Sequence, residues 1–444
     1  MELGIIGLGV MGKSLAVNAA QKGISVIAFN RDHPEEVKVL REFIKRYEDL
    51  NIQLYSDWNE FFKAFQDSPR IISMLPAGPI VDEVLESIAS LKPKGTIFCD
   101  GGNSFYKDSN RRAKLYENYL GIGISGGERG ALLGPAMMVG GEFDSYQKMK
   151  PILDLLKGNS FAPYLGPEGS GHFVKMVHNG LEYGQMQLLV EIFEILGSRT
   201  ALNNFLRKGL ELHPEIDSFL VRTALEVSSF KEDEVFILDE ILDVAGSKGT
   251  GAWTAQTALE FGVNYSIAQA AVNARITSSC KAQRMALHQD RPSGTAFEDL
   301  DLLYELYKRA TRINHQQALV LIRTVSEDLG WNIDLKKVVK SWSKGSIVAS
   351  EFLQELLGQD LEDGLWAWKQ PRNNVSYHKL IEFAALNHKY IPCFTASWTY
   401  ETGMQQGESS AHLIQGLRDA FGAHTYEKRT APRGVFFHTK WPAI

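Results

Sequence analysis

Hydrophobic and polar residues follow two different patterns along the chain, and the change falls near residue 166. Before it, short apolar runs end in glycine, asparagine or proline and alternate with runs of helical spacing. This alternation predicts parallel strands connected by helices in a doubly wound sheet. After it, apolar residues recur at helical spacing over long runs, notably 173–197, 266–288 and 300–329. That pattern predicts an all-helical second domain.

These patterns divide the chain into three predicted parts. Strands are predicted at residues 2–6, 25–29, 70–75, 96–100, 136–139 and 161–165, with helices at 79–90 and 106–119. We assign residues 1–168 to an α/β sheet domain and residues 169–406 to the helical domain. Residues 407–444 form a tail whose apolar residues are too irregular for a core of its own, so the tail must dock on something.

A glycine pattern follows the first strand directly. Residues Gly7-Leu8-Gly9-Val10-Met11-Gly12 spell G-x-G-x-x-G between a strand and a helix. In this setting Gly7 permits a tight turn, Gly9 lets the backbone approach a pyrophosphate, and Gly12 lets helix and strand pack closely. The helix N-terminus would then face the anion. The pattern predicts a dinucleotide-binding, Rossmann-like first domain.

The end of the second strand bears on which dinucleotide binds. NAD enzymes usually offer a carboxylate to the ribose hydroxyls there, whereas this chain has Asn30 followed by Arg31. Arg31 could pair with a 2′-phosphate and stack on adenine, which favours NADP. Asp32 would repel that phosphate if it pointed into the site, so NAD stays an alternative. Arg31 could also be only a solvated loop residue.

Three more loops follow predicted strands and carry residues suited to a ligand. They are Leu75-Pro76-Ala77-Gly78, Asp100-Gly101-Gly102-Asn103-Ser104 and Ser125-Gly126-Gly127. Open parallel sheets place ligands at the carboxyl ends of their strands, and glycine lets backbone N–H groups approach them. Any one loop could be an ordinary turn, but three beside the first glycine pattern predict a shared crevice.

One helix of the second part carries a polar stripe among apolar faces. Lys175, His178, Asn179 and Glu182 project within a sector of about 100°, and the remaining faces are largely apolar. This arrangement predicts a buried helix that turns its polar side chains toward a polar ligand. The alternative is that Lys175 and Glu182, two turns apart, only neutralise each other or a neighbouring helix.

Composition and charge narrow the classes of function. The 444 residues are 44% hydrophobic, with a net charge of −6 and a pI near 6.0. This balance argues against a broad nucleic-acid surface, so an anion such as a small phosphorylated substrate must meet a local basic cluster. No apolar run reaches membrane-spanning length, and the chain enters a strand without room for a signal sequence. Three cysteines without metal or disulfide spacing suit a reducing compartment, so we predict a cytosolic protein.

A local basic cluster is present beyond residue 247. Lys248-Gly249-Thr250-Gly251 offers a cation, a hydroxyl group and flexible backbone, and Arg275 interrupts a small, apolar helix. These groups fit a phosphate. Lys248 could instead be a solvated lysine, and Arg275 could belong to a structural ion pair.

Together these motifs resemble the decarboxylating 6-phosphogluconate dehydrogenases over essentially the whole chain. The resemblance rests on GLGVMG, DGGNS, SGGERGALLGPAMMVGG, GSGHFVKMVHNGLEYGQMQL, KGTGAWT, Ala274-Arg275 and RDAFGAHTYE. The shorter 3-hydroxyacid dehydrogenases share the first domain and a helical lysine, but neither the tail nor the phosphate-binding set. This chain departs from the family pattern by being somewhat short and at Pro76, Asp32 and Ala252. The first two substitutions bear on cofactor preference.

The resemblance implies that 6-phospho-D-gluconate is oxidised at C3 by hydride transfer to NADP, without a metal. The product then loses CO2 to give ribulose 5-phosphate, a step of the oxidative pentose phosphate pathway and of gluconate utilisation. Lys175 would take the C3 hydroxyl proton as general base and, as ammonium, polarise the new carbonyl. Protonated Glu182 would deliver a proton to C1 of the enediol. Lys175 must begin neutral, so burial must lower its pKa from about 10.4.

The resemblance also assigns the binding residues. The cofactor would meet the glycine pattern at residues 7–12, Asn30, Arg31, Asp32, Leu75, Pro76, Ala77 and Asn103. The carboxylate and hydroxyl end of the substrate would meet Asn103, Ser125, Gly126, Gly127, His178 and Asn179. The 6-phosphate would meet Tyr183, Lys248, Thr250 and Arg275, together with Arg418 and His424 from the tail of a second subunit.

A homodimer with shared active sites is therefore expected, with no nucleic-acid or membrane partner. Two other functions fit parts of the chain. A 3-hydroxyacid dehydrogenase without decarboxylation would use the first domain, but it leaves the basic cluster and the tail unexplained. A non-catalytic dinucleotide sensor would need a damaged polar stripe, which the chain does not have.

Overall fold

The computed structural model describes residues 1–289, 296–361 and 376–442. Residues 1–397 form one compact unit and residues 398–444 form a second. The last two residues of the predicted tail, 443 and 444, lie outside the described residues. Across the described ranges, none of the helices combines the length and the apolar character that crossing a bilayer requires.

The first part of the chain forms a doubly wound sheet, as the alternating pattern predicted, but with eight strands rather than six, because Ile52–Tyr55 and Tyr119–Ser125 were not predicted. Its strands are β1 (Glu2–Ile6), β2 (Ser25–Phe29), β3 (Ile52–Tyr55), β4 (Arg70–Ser73), β5 (Ile97–Asp100), β6 (Tyr119–Ser125), β7 (Ala136–Gly141) and β8 (Tyr164–Gly166). Their order is β3-β2-β1-β4-β5-β6-β7-β8. The first six strands are parallel, whereas β7 pairs antiparallel with β6 and parallel with β8. The segment between β6 and β7 is too short for a parallel crossover, which needs about a dozen residues or more.

Seven helices cover this sheet among the described residues. They are α1 (Val10–Gln21), α2 (Pro34–Arg46), α3 (Trp58–Lys63), α4 (Pro79–Ile88), α5 (Tyr106–Leu115), α6 (Gly127–Leu133) and α7 (Phe143–Leu156). The helix predicted at 106–119 was too long, because the backbone becomes extended at Tyr116 and Tyr119 opens β6. Apolar side chains pack on both faces of the sheet, so the central strands β1, β2, β4 and β5 are almost entirely buried, whereas the edge strand β3 has no buried residue.

Helices dominate the chain after β8. They are α8 (Ser170–Leu196), α9 (Arg199–Leu212), α10 (Phe219–Ser229), α11 (Ile237–Glu240), α12 (Thr250–Glu260), α13 (Ser266–Ser279), α14 (Lys281–Ala286), α15 (Leu300–Asp328), α16 (Leu335–Trp342), α17 (Glu351–Leu356), α18 (His378–Leu386) and α19 (Pro392–Gln405). The predicted run 266–288 is two helices that meet at Cys280. A short 3-10 turn, Pro214–Ile216, and a two-strand ladder of β9 (Lys231–Glu232) with β10 (Val235–Phe236) interrupt the helices.

Side-chain caps explain where several of these helices begin. Ser198, Ser218 and Ser350 each accept a hydrogen bond from a backbone N–H of the helix that follows, and Asp334 accepts two. Such caps satisfy donors that the first helical turn leaves without partners. The domain boundary predicted at residue 168 lies between β8 and α8, and it stays a prediction.

Helix α8 packs against the sheet where β6 and β7 carry glycine. A Cβ added at Gly123 would lie 2.2 Å from the Cβ of Lys175, and one at Gly140 would lie 2.3 Å from the amide nitrogen of Gly171. A Cβ at Gly121 would crowd the ring of His172 at 2.8 Å. The helix therefore approaches the sheet more closely than larger residues would allow. This approach carries Lys175 to the carboxyl end of β6.

The second compact unit contains the end of α19, helix α20 (Ala411–Gly422) and a ladder of β11 (Tyr426–Glu427) with β12 (Phe436–Phe437). Of the described residues from 402 to 442, only Asp419 is buried. Leu413, Leu417 and Phe421 on α20 are all more than half exposed. This segment is thus organised around a polar residue and leaves its large apolar side chains on the surface.

Candidate active site

The glycine pattern after β1 forms the floor of a crevice at the carboxyl end of the sheet. Gly7 has a φ of 90°, a conformation that residues with a Cβ rarely adopt. A Cβ at Gly12 would lie 2.0 Å from the carbonyl oxygen of Gly7, whereas a Cβ at Gly9 would meet nothing within 4 Å. The first and third glycines are therefore needed for the turn and the packing, and the second leaves open space. This is the geometry expected for a dinucleotide pyrophosphate at the start of α1.

The residues after β2 connect this loop to a charged surface group. The Asn30 Oδ1 atom accepts a hydrogen bond from the Leu8 amide at 2.9 Å, and its Nδ2 donates to Glu36 at 2.6 Å. Arg31 is 70% exposed and pairs with the same Glu36 carboxylate at 2.7 Å. The hydrogen bond from Arg31 lowers the pKa of Glu36. Asp32 is exposed. The predicted cofactor residues Asn30 and Arg31 are thus linked through a carboxylate that the sequence did not single out.

A buried charge network supports the loop after β5, which carries the exposed Asn103. Asp100 is fully buried and accepts hydrogen bonds from the Gly102 amide, the Ser104 hydroxyl and the Tyr119 hydroxyl at 2.7–3.1 Å. Arg112 on α5 is also fully buried and lies 3.3 Å from Asp100.

The same guanidinium also reaches the neighbouring loop. It donates two hydrogen bonds to Asp82 on α4 and one to the carbonyl of Gly78. Burial opposes the charge on Arg112, but the hydrogen bonds to Asp82 raise its pKa above the usual range. The network fixes the loop containing Asn103 beside the loop containing Leu75, Pro76 and Ala77, of which Pro76 and Ala77 are exposed.

The polar stripe of α8 forms a connected cluster. The Lys175 Nζ atom donates to Asn179 Oδ1 at 2.8 Å and lies 3.2 Å from His178 Nδ1. The other ring nitrogen of His178 lies 3.0 Å from the hydroxyl of Ser125, at the end of β6. Glu182 Oε2 lies 3.8 Å from His178 Nδ1. The structure therefore brings together five predicted site residues, including one that is 53 residues from its partner in the sequence.

The environment changes the proton affinity of the stripe in two directions. Burial lowers the pKa of Lys175 to about 8, although the negative charge of Glu182 acts against this shift. Burial raises the pKa of Glu182, although Lys175 and Arg275 act against it. Burial and the charge of Lys175 hold the pKa of His178 well below its usual value. A lysine that can lose its proton and a glutamate that can keep one thus lie on the same helix face.

Gly126 and Gly127 turn the backbone from β6 into α6. Gly126 has a φ of 120°, and a Cβ there would lie 2.7 Å from the carbonyl of Gly345. The neighbouring Ser125 hydroxyl also accepts a hydrogen bond from the Ile347 amide at 3.3 Å. These contacts hold the end of β6 against the segment that follows α16.

A second cluster lies further along α8. The Arg275 guanidinium stacks on the Tyr183 ring with its Cζ atom 3.4 Å from the ring centroid, and it donates to the Gly246 carbonyl at 3.2 Å. The Tyr183 hydroxyl lies 3.2 Å from the hydroxyl of Ser247. Among the described residues, Arg275 is therefore held by an aromatic ring and a backbone carbonyl rather than by a carboxylate.

The loop before α12 completes this cluster. Lys248 is exposed, and Gly249 has a φ of 87° and donates its amide to Ser247. Thr250 is buried as the first residue of α12. The cluster combines two cations, hydroxyl groups and a helix N-terminus, which is a chemistry suited to a phosphate group.

The remaining predicted residues, Arg418 and His424, lie in the second compact unit and are exposed. The Arg418 Nη1 atom donates to Gln415 Oε1 at 3.0 Å, and the His424 ring lies 6.1 Å from that of Phe421. Both side chains are presented by α20 and the turn after it. Their part in the phosphate cluster stays a prediction.

Sequence reasoning missed Glu36, Ser247 and the Asp100–Arg112 pair. Glu36 lies five residues after Arg31 in a helix, where an ion pair is a local signal that could have been found. Ser247 directly precedes the predicted Lys248 and could also have been noticed. Arg112 meets Asp82 across 30 residues, and no sequence pattern indicates such a pair.

Comparisons with known proteins give a consistent result. Residues 2–166 match the model for the NAD binding domain of 6-phosphogluconate dehydrogenase, and residues 171–441 match that for the 6-phosphogluconate dehydrogenase C-terminal domain. The chain is 34% identical to a Synechocystis protein and 33% identical to an Escherichia coli protein, both named 6-phosphogluconate dehydrogenase, decarboxylating. These matches cover 99% of this chain and 97% and 99% of the relatives.

A solved structure is also similar along the whole chain. It is the Plasmodium falciparum 6-phosphogluconate dehydrogenase, described in its apo form, in complex with its cofactor NADP+ and in complex with its substrate 6-phosphogluconate. The sequence identity is 31% and the TM-score is 0.88, with 99% of this chain and 100% of that chain covered. The likeness therefore includes the sheet, the helices and the C-terminal segment.

Proposed function

Because this chain belongs to the 6-phosphogluconate dehydrogenase family, we propose that it oxidises and decarboxylates 6-phospho-D-gluconate with NADP as the hydride acceptor. The products are ribulose 5-phosphate, CO2 and NADPH. The observation that carries the proposal is the pairing, on one helix beside the dinucleotide crevice, of a lysine with a lowered pKa and a glutamate with a raised one. NADP supplies the oxidising nicotinamide when it is bound.

In the first step, neutral Lys175 accepts the proton of the C3 hydroxyl while C3 gives up its hydride. The resulting lysine ammonium transfers its proton to the new C3 carbonyl oxygen while the electrons of the C1–C2 bond move toward C3 and CO2 leaves, which gives the enediol and neutral Lys175. Asn179 Oδ1 and His178 Nδ1 lie 2.8 Å and 3.2 Å from the Lys175 Nζ atom and 3.3 Å from each other, so both hold the amine from the same side.

In the last step, the enediol must gain a proton on the carbon that lost CO2 and release one from its oxygen. Protonated Glu182 delivers the first, and Lys175 accepts the second and returns to its ammonium form. The raised pKa of Glu182 supports this role, since an ordinary glutamate would have lost its proton at neutral pH.

The 6-phosphate is assigned to Tyr183, Lys248, Thr250 and Arg275, of which Tyr183 lies about two helical turns along α8 from Lys175. The carboxylate and hydroxyl end is assigned to Asn103, Ser125, Gly126, Gly127, His178 and Asn179. Arg418 and His424 would join the phosphate from the tail of a second copy of this chain. The exposed apolar side chains of α20 support this assignment, because a segment without an apolar core gains stability by burying them elsewhere.

A cytoplasmic location stays a prediction that rests on the three unpaired cysteines.

The reaction is tested by adding 6-phosphogluconate and NADP to the purified protein and measuring CO2 release and NADPH formation in the same sample. Equal amounts of both products are expected. A 3-hydroxyacid dehydrogenase would form NADPH without CO2, and a sensor would form neither. Glu182→Gln should spare hydride transfer more than the final protonation, whereas Lys175→Met should slow hydride transfer by roughly 10²–10⁴-fold. If oxidation is as impaired in Glu182→Gln as in Lys175→Met, the division of roles between the two residues is wrong.

Sharing of the site between two chains is tested by mixing. Lys175→Ala and Arg418→Ala proteins should each be nearly inactive, but half of their heterodimers' sites would combine an intact Lys175 with an intact Arg418. Unfolding and reassembling the two together should restore roughly a quarter of wild-type activity if pairing is random. If heterodimers form and no activity returns, Arg418 does not serve the partner's site.

A further inference from the structure

Asp419 lies in the last turn of α20, and its carboxylate accepts hydrogen bonds from four donors in the segment that follows the helix. Its Oδ1 atom accepts hydrogen bonds from the Thr425 amide at 3.0 Å and from the His438 ring at 2.9 Å. Its Oδ2 atom accepts from the Thr439 amide at 3.1 Å and from the Trp441 indole at 2.8 Å. A buried carboxylate with four donors replaces the apolar core that this segment lacks.

The turn held by Asp419 has a backbone conformation that its residues resist. Ala423 has a φ of 48° and Thr425 a φ of 56°, so non-glycine residues in the left-handed region flank His424 on both sides. This region is especially unfavourable for the β-branched Thr425. Asp419 bonds both residues, since its carbonyl accepts from the Ala423 amide at 2.9 Å and its carboxylate accepts from the Thr425 amide. Strain of this kind persists only where the surrounding contacts over-determine it.

Helix α20 carries Asp419 and its exposed apolar side chains on opposite faces. At about 100° per residue, Leu413, Leu417 and Phe421 share one exposed face of the helix, and Asp419 lies on the opposite side. Arg418 lies at the edge of the apolar face. The helix therefore turns Asp419 inward toward the segment 423–441 and leaves Arg418 on the outside, and His424 in the turn after the helix is also exposed.

From this geometry we propose that Asp419 is a positioning residue that folds the tail in advance and holds His424 in the orientation needed to bind the 6-phosphate. The proposal rests on the function proposed above for Arg418 and His424. Asp419 itself does not touch the substrate. It acts by keeping the strained turn from relaxing, so that binding does not have to order the turn first.

The test compares Asp419→Asn with Glu408→Gln in the full-length protein. Both changes remove one negative charge from the same unit, but Glu408 is exposed and pairs only with Arg429 among the described contacts. Hydrogen exchange of the Thr425 and Thr439 amides reports the turn directly. In Asp419→Asn this exchange should accelerate and KM for 6-phosphogluconate should rise about tenfold or more, as expected for lost hydrogen bonds to a charged group. KM for NADP should not change, and Glu408→Gln should resemble the wild type.

A double-variant cycle separates positioning from a general structural effect. If Asp419 acts through His424, combining Asp419→Asn with His424→Ala should raise KM for 6-phosphogluconate no further than His424→Ala alone. Additive effects would overturn the proposal, as would unchanged exchange of Thr425. If His424→Ala and Arg418→Ala each leave KM unchanged, the assignment of the tail to the phosphate fails, and the positioning role fails with it. That result differs from failure of the inference alone, in which the two single variants raise KM and the cycle is additive.

Discussion

Lowering the pH from 8 to 7 should slow the hydride-transfer step about fivefold. The base in this step is neutral Lys175, and burial lowers its pKa to about 8. About half of the lysine is then neutral at pH 8 and about a tenth at pH 7. An ordinary lysine, with a pKa near 10.5, would be neutral in less than about one molecule in a hundred at either pH.

Two variants test whether Lys175 is the titrating group. Lys175→Arg keeps the positive charge but cannot lose its proton, so hydride transfer should fall by roughly 10²–10⁴-fold. The ionised form of Glu182 raises the pKa of Lys175, and Glu182→Gln removes that form. The midpoint of the pH profile should therefore move to lower pH in this variant, by an amount that reports how much of Glu182 is ionised before hydride transfer. Lys150→Arg, the same change at a lysine that is half exposed on α7, is the matched control and should leave the profile unchanged.

The assay is a single turnover with enzyme in excess of 6-phosphogluconate, in which the appearance of reduced nicotinamide is followed at each pH. This isolates hydride transfer from decarboxylation and product release. A rate that does not vary between pH 7 and pH 8, or a midpoint that moves to higher pH in Glu182→Gln, would refute the assignment of Lys175 as the base.

Three further changes have defined outcomes. The lowering of the pKa of Lys175 from 10.5 to about 8 destabilises the folded state by about 3 kcal/mol at pH 7. This destabilisation is complete below pH 8 and disappears as the pH rises to 10.5. Lys175→Met should therefore raise the free energy of unfolding, measured in urea at pH 7, by up to that amount. Arg31→Ala should raise KM for NADP by about tenfold or more and should change KM for NAD little. Glu36→Gln should lower KM for NADP, because it frees the Arg31 guanidinium from its ion pair. Equal effects of Arg31→Ala on both cofactors would exclude recognition of the 2′-phosphate. Gly123→Ala should reduce kcat and should lower the free energy of unfolding by about 1–3 kcal/mol, because the added Cβ would overlap Lys175. Gly416→Ala is the control, since a Cβ there meets nothing within 4 Å, and it should reduce neither quantity. Rate measurements and thermal denaturation test both variants.

The sequence predicted two features of the site whose signals are local. The glycine pattern at Gly7–Gly12 and the stripe on α8 depend on spacing within a few helical turns, and both lie where the pattern indicated. The reversal of β7 was not predicted, because an alternation of apolar residues carries no information on strand direction. The end of α5 was misjudged because Tyr116 and Tyr119 continue the helical spacing after the helix has ended.

Contacts between distant residues account for the rest. Nothing near His178 indicates that its ring meets Ser125, and nothing near Arg112 indicates that it joins Asp82 and Asp100. These pairings exist because parallel strands bring their carboxyl ends to one edge of the sheet and because glycine on β6 and β7 admits α8. The role of Asp419 could not be predicted from the sequence, because its four hydrogen-bond donors lie 6 to 22 residues away in a segment without regular apolar spacing.

The close contact between α8 and the sheet limits how this enzyme can evolve. Gly121, Gly123 and Gly140 leave no space for even one methyl group, so most substitutions there would push α8, which carries Lys175, away from the sheet. Selection for a new substrate must then act on peripheral segments, such as the loop before α12 or the tail. The reaction can stay constant while the substrate changes. Steric exclusion prevents substitution of the glycines beneath α8, whereas the exposed residues of the loop before α12 and of the tail are free to vary.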